Sequence, residues 1–129
     1  MVQWVDWNEV ETCVEFGPGT GAFTPSILES INPRTHFFAV ELNQEFAATM
    51  TDKFPDVDTL NRSVADIDEI CDQRGVEKID CIVCGLPWAA FSTQLQHTLM
   101  DAVLSRMSDG GYFCTFAVTF PACRVNSKC

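Results

Sequence analysis

The sequence is short of basic residues. It contains 8 lysines and arginines against 18 aspartates and glutamates, which gives a formal net charge of -10. Nucleic acids are bound through basic surfaces, so a nucleic-acid partner would meet electrostatic repulsion, and the same charge disfavours electrostatic binding to anionic lipid. The composition therefore disfavours a nucleic-acid-binding function.

The sequence also lacks a long apolar run. No stretch reaches the roughly 20 apolar residues that a transmembrane helix requires, and no basic segment followed by an apolar one opens the chain as in a signal peptide. We therefore expect a cytoplasmic protein, with association at the periphery of a membrane left open. Repeats and low-complexity segments are absent too, so we expect a single domain, residues 1–129, for which 47% hydrophobic content supplies a core.

The seven cysteines have neither a disulfide-rich nor a zinc-site spacing. Cys81 and Cys84 form a CxxC pair, but the second CxxC or Cys/His pair that a zinc site needs is missing. Because this pair lies in an apolar run, the sequence favours reduced cysteines buried in a strand over a redox or zinc site. No metal site is predicted.

Short β-rich runs alternate with segments of helical spacing. The predicted strands are residues 12–16, 36–40, 57–60, 79–84 and 112–118. Between them, apolar residues recur at helical spacing. Asn43 is expected to cap the second helix, whose predicted buried stripe is Phe46, Ala47, Met50 and Phe54. The last helix is predicted from Phe91 to Met107, with a stop at Asp109-Gly110-Gly111. Repeated βα units of this length predict an α/β fold with a Rossmann-like, doubly wound parallel sheet. Residues 121–129 are expected to be a tail.

A glycine-rich loop follows the first predicted strand. The stretch VEFGPGTGAF, residues 14–23, places Gly17, Gly19 and Gly21 ahead of the first helix. Glycines let the backbone turn sharply and approach a ligand, and parallel sheets of this kind bind ligands at their carboxyl edge. A tight turn, a phosphate cradle for a dinucleotide and a pocket for a cofactor without phosphate are all compatible with this loop.

Two glutamates bear on that choice. Glu15 stands two residues before Gly17, where its carboxylate would repel a pyrophosphate and would favour a cofactor that carries an ammonium and a sulfonium group. Glu41 ends the second strand, 20 residues after Gly21 (41 - 21 = 20), where a carboxylate can accept hydrogen bonds from ribose hydroxyls. The charge of Glu15 thus favours S-adenosylmethionine over NAD. Glu41 is compatible with the ribose of either cofactor, or with a solvated strand end that binds nothing.

Three segments in register resemble motifs of class I S-adenosylmethionine-dependent methyltransferases. They are VEFGPGTGAFT (residues 14–24), FAVELN (38–43) and CIVCGLPW (81–88). Within that superfamily they are most similar to bacterial phospholipid N-methyltransferases and, more distantly, to rRNA adenine dimethyltransferases. The resemblance implies a sheet with strand order 3-2-1-4-5. It also implies truncation after the fifth strand, with the C-terminal antiparallel strands missing and an open edge that a homodimer or another partner would cover.

The resemblance assigns cofactor roles to particular residues. Glu15 and the glycine loop would hold the methionine end of S-adenosylmethionine, Glu41 the ribose and Leu42 one face of the adenine. Where relatives carry an aspartate for the adenine amino group, this chain has Ser63, a weaker and uncharged acceptor. Asp66, three residues later, could take the place of that aspartate or cap the following helix, and the cap is favoured.

The segment after the fourth strand bears on the methyl acceptor. Enzymes that methylate adenine N6 place Asn or Asp before Pro and an aromatic residue, but Gly85 here has no such side chain and is assigned to the cofactor site. Gly-Leu-Pro-Trp resembles the form in phospholipid enzymes that methylate an ethanolamine head group. Leu86, Pro87 and Trp88 would then face the substrate, with the Trp88 ring receiving an amine that becomes a quaternary ammonium. A Trp88 packed beneath the long helix is the other interpretation, and His97 is expected on the surface.

Three functions remain open at this point. The first is N-methylation of an amine-bearing lipid such as phosphatidylethanolamine, and the second is S-adenosylmethionine binding without catalysis. The third, a dinucleotide-dependent oxidoreductase, is disfavoured by Glu15 and by Gly-Leu-Pro-Trp. Trp4 and Trp7 have acidic neighbours, and either contact with a lipid interface or packing on the sheet is compatible with them.

Overall fold

One sheet with helices on both faces makes up the described part of the chain. The structure is a computed structural model, and it describes residues 2, 5–87, 90–115 and, for the backbone alone, 123–124. The strands are β1 (Thr12–Phe16), β2 (His36–Val40), β3 (Asp58–Leu60), β4 (Ile79–Cys84), β5 (Met107–Thr115) and β6 (Cys123–Arg124). The helices are α1 (Thr24–Ser30), α2 (Gln44–Lys53), α3 (Ile67–Arg74) and α4 (Thr93–Leu104). None of the described helices combines the length and apolar character needed to cross a bilayer.

The strands lie in the order β3-β2-β1-β4-β5-β6. The first five are parallel, and β1 pairs with β2 on one side and with β4 on the other. This confirms the predicted Rossmann-like sheet with the order 3-2-1-4-5. Because β1 is central and covered on both faces, all five of its residues are buried.

The edge of the sheet beyond β5 differs from the expectation. Here β6 runs antiparallel to β5, with Arg124 opposite Tyr112 and Cys123 opposite Phe113. The sequence predicts a tail without an antiparallel strand over residues 121–129, and for Cys123 and Arg124 that prediction is wrong. A strand of two residues has no periodicity of its own, so its pairing with β5 defines it and no local pattern could have predicted it.

The boundary between α4 and β5 also lies elsewhere than predicted. The helix ends at Leu104, and Met107, predicted as its last residue, already pairs with Ile79 of β4. The glycine pair at residues 109–111, predicted as a helix stop, lies inside β5 where the register with β4 shifts, and Gly110 has a φ of 74°. Glycines mark bulges as well as turns, which explains the error. The predicted end of this strand, Val118, lies outside the described residues.

Each face of the sheet is covered by a pair of helices. On one face, α3 and α4 pack against a cluster that includes Phe16 and Ile82. On the other, α1 packs near Cys13, and α2 packs over Ala39. Trp7 also packs against the cluster around Cys13, so this tryptophan covers the sheet, while Trp4 lies outside the described residues.

Helix α2 begins as the sequence predicts but buries a narrower stripe. Asn43 caps it, since its Oδ1 accepts a hydrogen bond from the Phe46 N–H at 3.0 Å. Of the apolar residues predicted to be buried, Ala47 and Met50 are, whereas Phe46 is 40% exposed. Phe46 lies in the first turn, at the margin of the sheet, where the helical pattern alone overestimates burial.

The described cysteines are free thiols in the core. Cys13, Cys71, Cys81, Cys84 and Cys114 are all buried and unbridged. The hydrogen bond with Cys81 and burial together raise the pKa of the Cys114 thiol, which keeps it protonated and unreactive. The interpretation of the CxxC pair as strand-core residues is therefore confirmed. Within the described residues, no group of three or more His, Cys, Asp or Glu side chains is placed to hold a metal ion.

Candidate functional site

The ends of β1, β2 and β4 bring the predicted site residues to one edge of the sheet. The N–H groups of Gly17 and Gly85 donate to the carbonyls of Val40 and Phe16 at 2.9 and 2.7 Å, and the N–H of Glu41 bonds to the end of β3 at 2.8 Å. These bonds extend the sheet by one residue past each strand. The glycine loop, Glu41 and the segment after β4 therefore start from fixed, adjacent points.

The three loop glycines serve different purposes. Gly17, Gly19 and Gly21 have φ angles of 62°, 61° and 89°, a region that favours glycine. A Cβ on Gly17 would lie 2.6 Å from Leu86 Cδ2, and a Cβ on Gly21 would lie 2.7 Å from Phe54 Cε2. A Cβ on Gly19 would meet nothing within 4 Å. Gly17 and Gly21 are thus needed for packing, while Gly19 presents its backbone to open space where a ligand can approach.

The carboxylate of Glu41 ties the glycine loop to the start of α2. Its Oε1 accepts from the Gly19 N–H at 2.8 Å, and its Oε2 accepts from the Asn43 N–H at 2.9 Å. A carboxylate has about four acceptor positions, so two remain for the hydroxyls of a ligand. With 7% of its surface exposed, Glu41 is held in place before any ligand arrives.

Asn61 is a site residue that the sequence analysis missed. Its Nδ2 donates to the carbonyls of Glu41 and Leu42 at 3.0 and 2.9 Å. These bonds fix the backbone of Leu42, whose side chain is 70% exposed at the mouth of the site. A polar residue directly after the third strand, at the same edge as Glu41, was the signal that could have found it.

Glu15 lies beneath the glycine loop. It is 2% exposed, and its Oε1 accepts a hydrogen bond from Thr24 Oγ1 at 2.7 Å. Burial raises the pKa of this carboxyl to about 7; the Thr24 hydrogen bond opposes that rise, and the neighbouring charge of Glu41 adds to it. This contact holds the first turn of α1 against β1. The predicted role of Glu15 toward the methionine end of a cofactor stays a prediction, and Thr24 is a second residue that the sequence analysis missed.

Helix α2 supports the loop from its other side. Lys53 Nζ donates to the carbonyl of Thr20 at 2.9 Å. Met50 and Phe54 pack where a side chain on Gly21 would lie, and the Met50 sulfur lies 3.7 Å from Thr24 Oγ1. The loop is therefore preorganised by contacts with both helices that flank it.

Comparison with known proteins identifies this architecture. No protein-family model matches the sequence. The chain is 30% identical over 112 residues to the ornithine lipid N-methyltransferase of Singulisphaera acidiphila, which covers 84% of this chain and 58% of that protein. It superposes on an amino pentose methyltransferase from Micromonospora echinaspora, solved with S-adenosylmethionine bound, with a TM-score of 0.69 and 18% identity over 88% of this chain and 45% of that one. It also superposes on a S-adenosylmethionine-dependent methyltransferase from Clostridium acetobutylicum, with a TM-score of 0.64 and 19% identity over 81% of this chain and 41% of that one. The chain has the class I methyltransferase fold.

The predicted resemblance to class I S-adenosylmethionine-dependent methyltransferases is thereby confirmed. The chain spans 58% of the length of the lipid methyltransferase that it matches. It spans less than half of each of the two solved methyltransferases.

In this methyltransferase fold, the position predicted to bind the adenine amino group is occupied by a cap. Ser63 Oγ accepts from the Ala65 N–H at 3.1 Å and begins a 3-10 turn, Val64–Asp66. Asp66 makes no side-chain capping bond to α3 and instead pairs with Arg62 at 3.5 Å. Asp66 thus occupies the N-cap position of α3, as predicted, but its side chain does not cap the helix, because the serine three residues earlier already begins the turn. The role of Ser63 toward adenine stays a prediction.

The Gly-Leu-Pro segment of the methyltransferase fold follows β4 directly. Leu86 is half-buried, packs against the core and fills the space beside Gly17. Pro87 is exposed, and its carbonyl accepts from the Ala90 N–H at 2.9 Å. Trp88 lies outside the described residues, so its predicted role and that of Leu86 and Pro87 toward a substrate remain predictions. His97 is exposed on α4, as expected.

Proposed function

We propose that this chain is a S-adenosylmethionine-dependent methyltransferase that N-methylates an amine-bearing lipid head group, such as that of phosphatidylethanolamine or an ornithine lipid. One observation carries the proposal: Glu41, the open side of Gly19 and the Gly-Leu-Pro segment meet at the carboxyl edge of three neighbouring parallel strands. Ligands of doubly wound folds bind at this edge.

The residues at this edge fit S-adenosylmethionine. The free acceptor positions of Glu41 suit ribose hydroxyls, and the exposed Leu42 side chain offers an apolar surface to an adenine ring. Residues 17–23 carry no lysine or arginine, and the nearby Lys53 is bonded to the Thr20 carbonyl, so cationic partners for a pyrophosphate are lacking in the loop itself. When bound, S-adenosylmethionine supplies an electrophilic methyl group.

A lipid amine is the acceptor that we favour. The relative from Singulisphaera acidiphila is named for methylation of an ornithine lipid. Gly85 has no side chain to accept the hydrogens of an adenine amino group, and the charge of -10 opposes RNA. We infer that Leu86, Pro87 and Trp88 position the head-group amine and exclude water from it, so that proximity supplies much of the rate enhancement. S-adenosylmethionine binding without catalysis is the second candidate, because Glu41 and the open side of Gly19 bear on cofactor binding alone.

Calorimetric titration tests the cofactor. We expect S-adenosylhomocysteine to bind and NAD not to bind. Glu41→Gln should weaken the affinity at least about tenfold, because an amide nitrogen cannot accept the bonds that one carboxylate oxygen accepts. Glu45→Gln is the matched control, since Glu45 is exposed in the first turn of α2. Binding of NAD alone would contradict the proposal.

Transfer of a labelled methyl group tests the acceptor. The chain is incubated with labelled S-adenosylmethionine and vesicles that contain phosphatidylethanolamine or ornithine lipid. We expect label in at least one of these lipids and none in rRNA. Cofactor binding without transfer to any amine-bearing lipid would overturn the catalytic proposal and support the second candidate.

A further inference from the structure

The methyl donor proposed for this site differs in charge from the product that it leaves behind. When the methyl group moves, the lone pair of the acceptor amine forms the new N–C bond and the electrons of the S–C bond stay on sulfur. S-adenosylmethionine thus becomes S-adenosylhomocysteine, whose thioether is neutral, and the positive charge passes to the acceptor. The two ligands share the same nucleoside and the same amino-acid end, so this charge is the main property by which a site can distinguish them.

The order of the strands places Glu15 below the point where that charge changes. Glu41, proposed to bind the ribose, follows β2, and the proposed acceptor segment follows β4, while β1 lies between these two strands. The sulfur of the cofactor is bonded between its ribose and its methyl group. By the proposed function, the sulfonium therefore lies over the end of β1, whose last two residues are Glu15 and Phe16.

The surroundings of Glu15 are apolar or anionic. Within the sheet it lies opposite Ala39 and Val83, and above it Thr24 of α1 donates the hydrogen bond at 2.7 Å. Its carboxyl group is 2% exposed, and the charge that acts on it is that of Glu41, a second anion that repels it. A carboxylate in such a place has a strong need for a cation.

The protein itself supplies no cation to Glu15 within the described residues. None of the ion pairs among them includes it. The charged side chains of the two helices on this face are all exposed: Glu29 of α1 and Glu45, Asp52 and Lys53 of α2. Lys53, the one cation of this set, is bonded to the Thr20 carbonyl. A cationic ligand over the loop would therefore be the first favourable partner for the Glu15 carboxylate.

The state of Glu15 near neutral pH makes it responsive to such a ligand. Burial raises the pKa of this carboxyl to about 7, so it is partly protonated there. A sulfonium held above it stabilises the carboxylate through a medium of low dielectric constant and lowers this pKa. A neutral thioether in the same place does neither.

We propose that Glu15 is a specificity-determining residue whose carboxylate favours the cationic methyl donor over the neutral product. Binding of S-adenosylmethionine then releases a proton from Glu15 to solvent, and Glu15 takes a proton back once the methyl group has left. The site thereby binds its product less tightly than its donor. The proposal deepens the proposed function and rests on it for the identity of the cofactor.

Calorimetry of the wild type in two buffers with different heats of ionisation counts the protons released on binding. At about pH 6.5, S-adenosylmethionine should release roughly half a proton more than S-adenosylhomocysteine, because Glu15 is mostly protonated before either ligand binds. The α-amino groups of the ligands titrate at about 7.7–8.0 and contribute little at this pH. This measurement requires no variant.

The ratio of the two affinities tests Glu15 directly. Between pH 6 and pH 7, the preference of the wild type for S-adenosylmethionine should increase about three- to fivefold as Glu15 ionises. In Glu15→Gln the ratio should stay constant, because the amide cannot ionise although its oxygen still accepts from Thr24. Glu29→Gln, at an exposed position of α1, is the matched control and should behave as the wild type. A purely structural role of Glu15 would change both affinities equally at every pH.

Two results would overturn this proposal and leave the proposed function intact. They are equal proton release by the two ligands, and the same pH dependence of the affinity ratio in the wild type and in Glu15→Gln. Failure of both ligands to bind would instead overturn the proposed function, and this proposal with it. Neither measurement involves a methyl acceptor, so the absence of a methylated lipid counts against the proposed function alone.

Discussion

Glu15 is a carboxyl group buried under a loop that, by our proposal, binds a cationic ligand. Its pKa rises from 4.5 to about 7, chiefly because burial disfavours the carboxylate. Between those pH values the folded protein retains a proton at Glu15 that the unfolded chain has lost. The stability contributed by this site is thus fully present below pH 4.5 and declines as the pH rises to 7, by roughly 3 kcal/mol.

Replacement of Glu15 by glutamine should remove this pH dependence. Gln keeps the carbonyl oxygen that accepts from Thr24, and it cannot ionise. In urea unfolding, Glu15→Gln and the wild type should be similarly stable at pH 4.5, and the variant should be more stable by about 2–3 kcal/mol at pH 8. Glu29→Gln, at an exposed position of α1, controls for the loss of one carboxylate. Parallel pH profiles for Glu15→Gln and the wild type would contradict the assignment.

At the scale of elements, two glycines of the same loop should affect different properties, Gly19 the binding of the ligand and Gly21 the stability of the fold. Gly19→Ala places a methyl group in open space and strains a positive φ by about 1–2 kcal/mol. Gly21→Ala adds a clash with Phe54 and Met50 to a similar strain, so its free energy of unfolding should fall further, by roughly 2–4 kcal/mol in total.

Cofactor affinity should follow the opposite order. Gly19→Ala should weaken S-adenosylhomocysteine binding more than tenfold, since its methyl group occupies the space proposed for the ligand. Gly21→Ala, studied where it is folded, should bind with nearly wild-type affinity because its side chain points away toward α2. Denaturation and calorimetry on the two variants measure both quantities. Unchanged affinity in Gly19→Ala would exclude a ligand from this side of the loop.

The elements from β3 to β4 were predictable from the sequence, whereas those at the other margin, beyond β4, were predicted less well. Strands β1 and β4 are buried almost throughout and β2 is buried in its second half, so each is a short, mostly apolar run that has few other interpretations. Asn43 was recognisable as a cap because capping depends on local sequence alone. By contrast, β6 exists through pairing with β5, and the glycines of β5 lie in a bulge that looks like a turn in the sequence.

The residues of the candidate site likewise include some that the sequence predicted and some that it did not. Glycines and acidic residues at strand ends follow local patterns and were predicted. The bonds from Asn61 to Glu41 and Leu42, and from Thr24 to Glu15, connect residues of different elements. They depend on how the strands are ordered in space, which a single sequence does not state.

At the scale of the whole molecule, the net charge of -10 destabilises the folded state through mutual repulsion. Addition of 0.3 M NaCl shortens the Debye length to below about 8 Å and screens this repulsion. It also screens ion pairs such as those of Arg106 with Asp68 and Asp72, but the carboxylates of these pairs are exposed and such pairs contribute little. Thermal unfolding should therefore show a Tm that rises by a few degrees with NaCl. A falling Tm would show that the ion pairs outweigh the repulsion.

The contact between Gly17 and Leu86 has an evolutionary consequence. Leu86 Cδ2 occupies the place where a side chain at position 17 would begin. A side chain at position 17 would therefore have to displace Leu86, so the glycine loop and the start of the proposed acceptor segment pack as one unit. New acceptors are then most accessible through substitutions beyond Leu86, where this steric coupling ends. By our proposal, this contact keeps the donor site constant while the acceptor diverges.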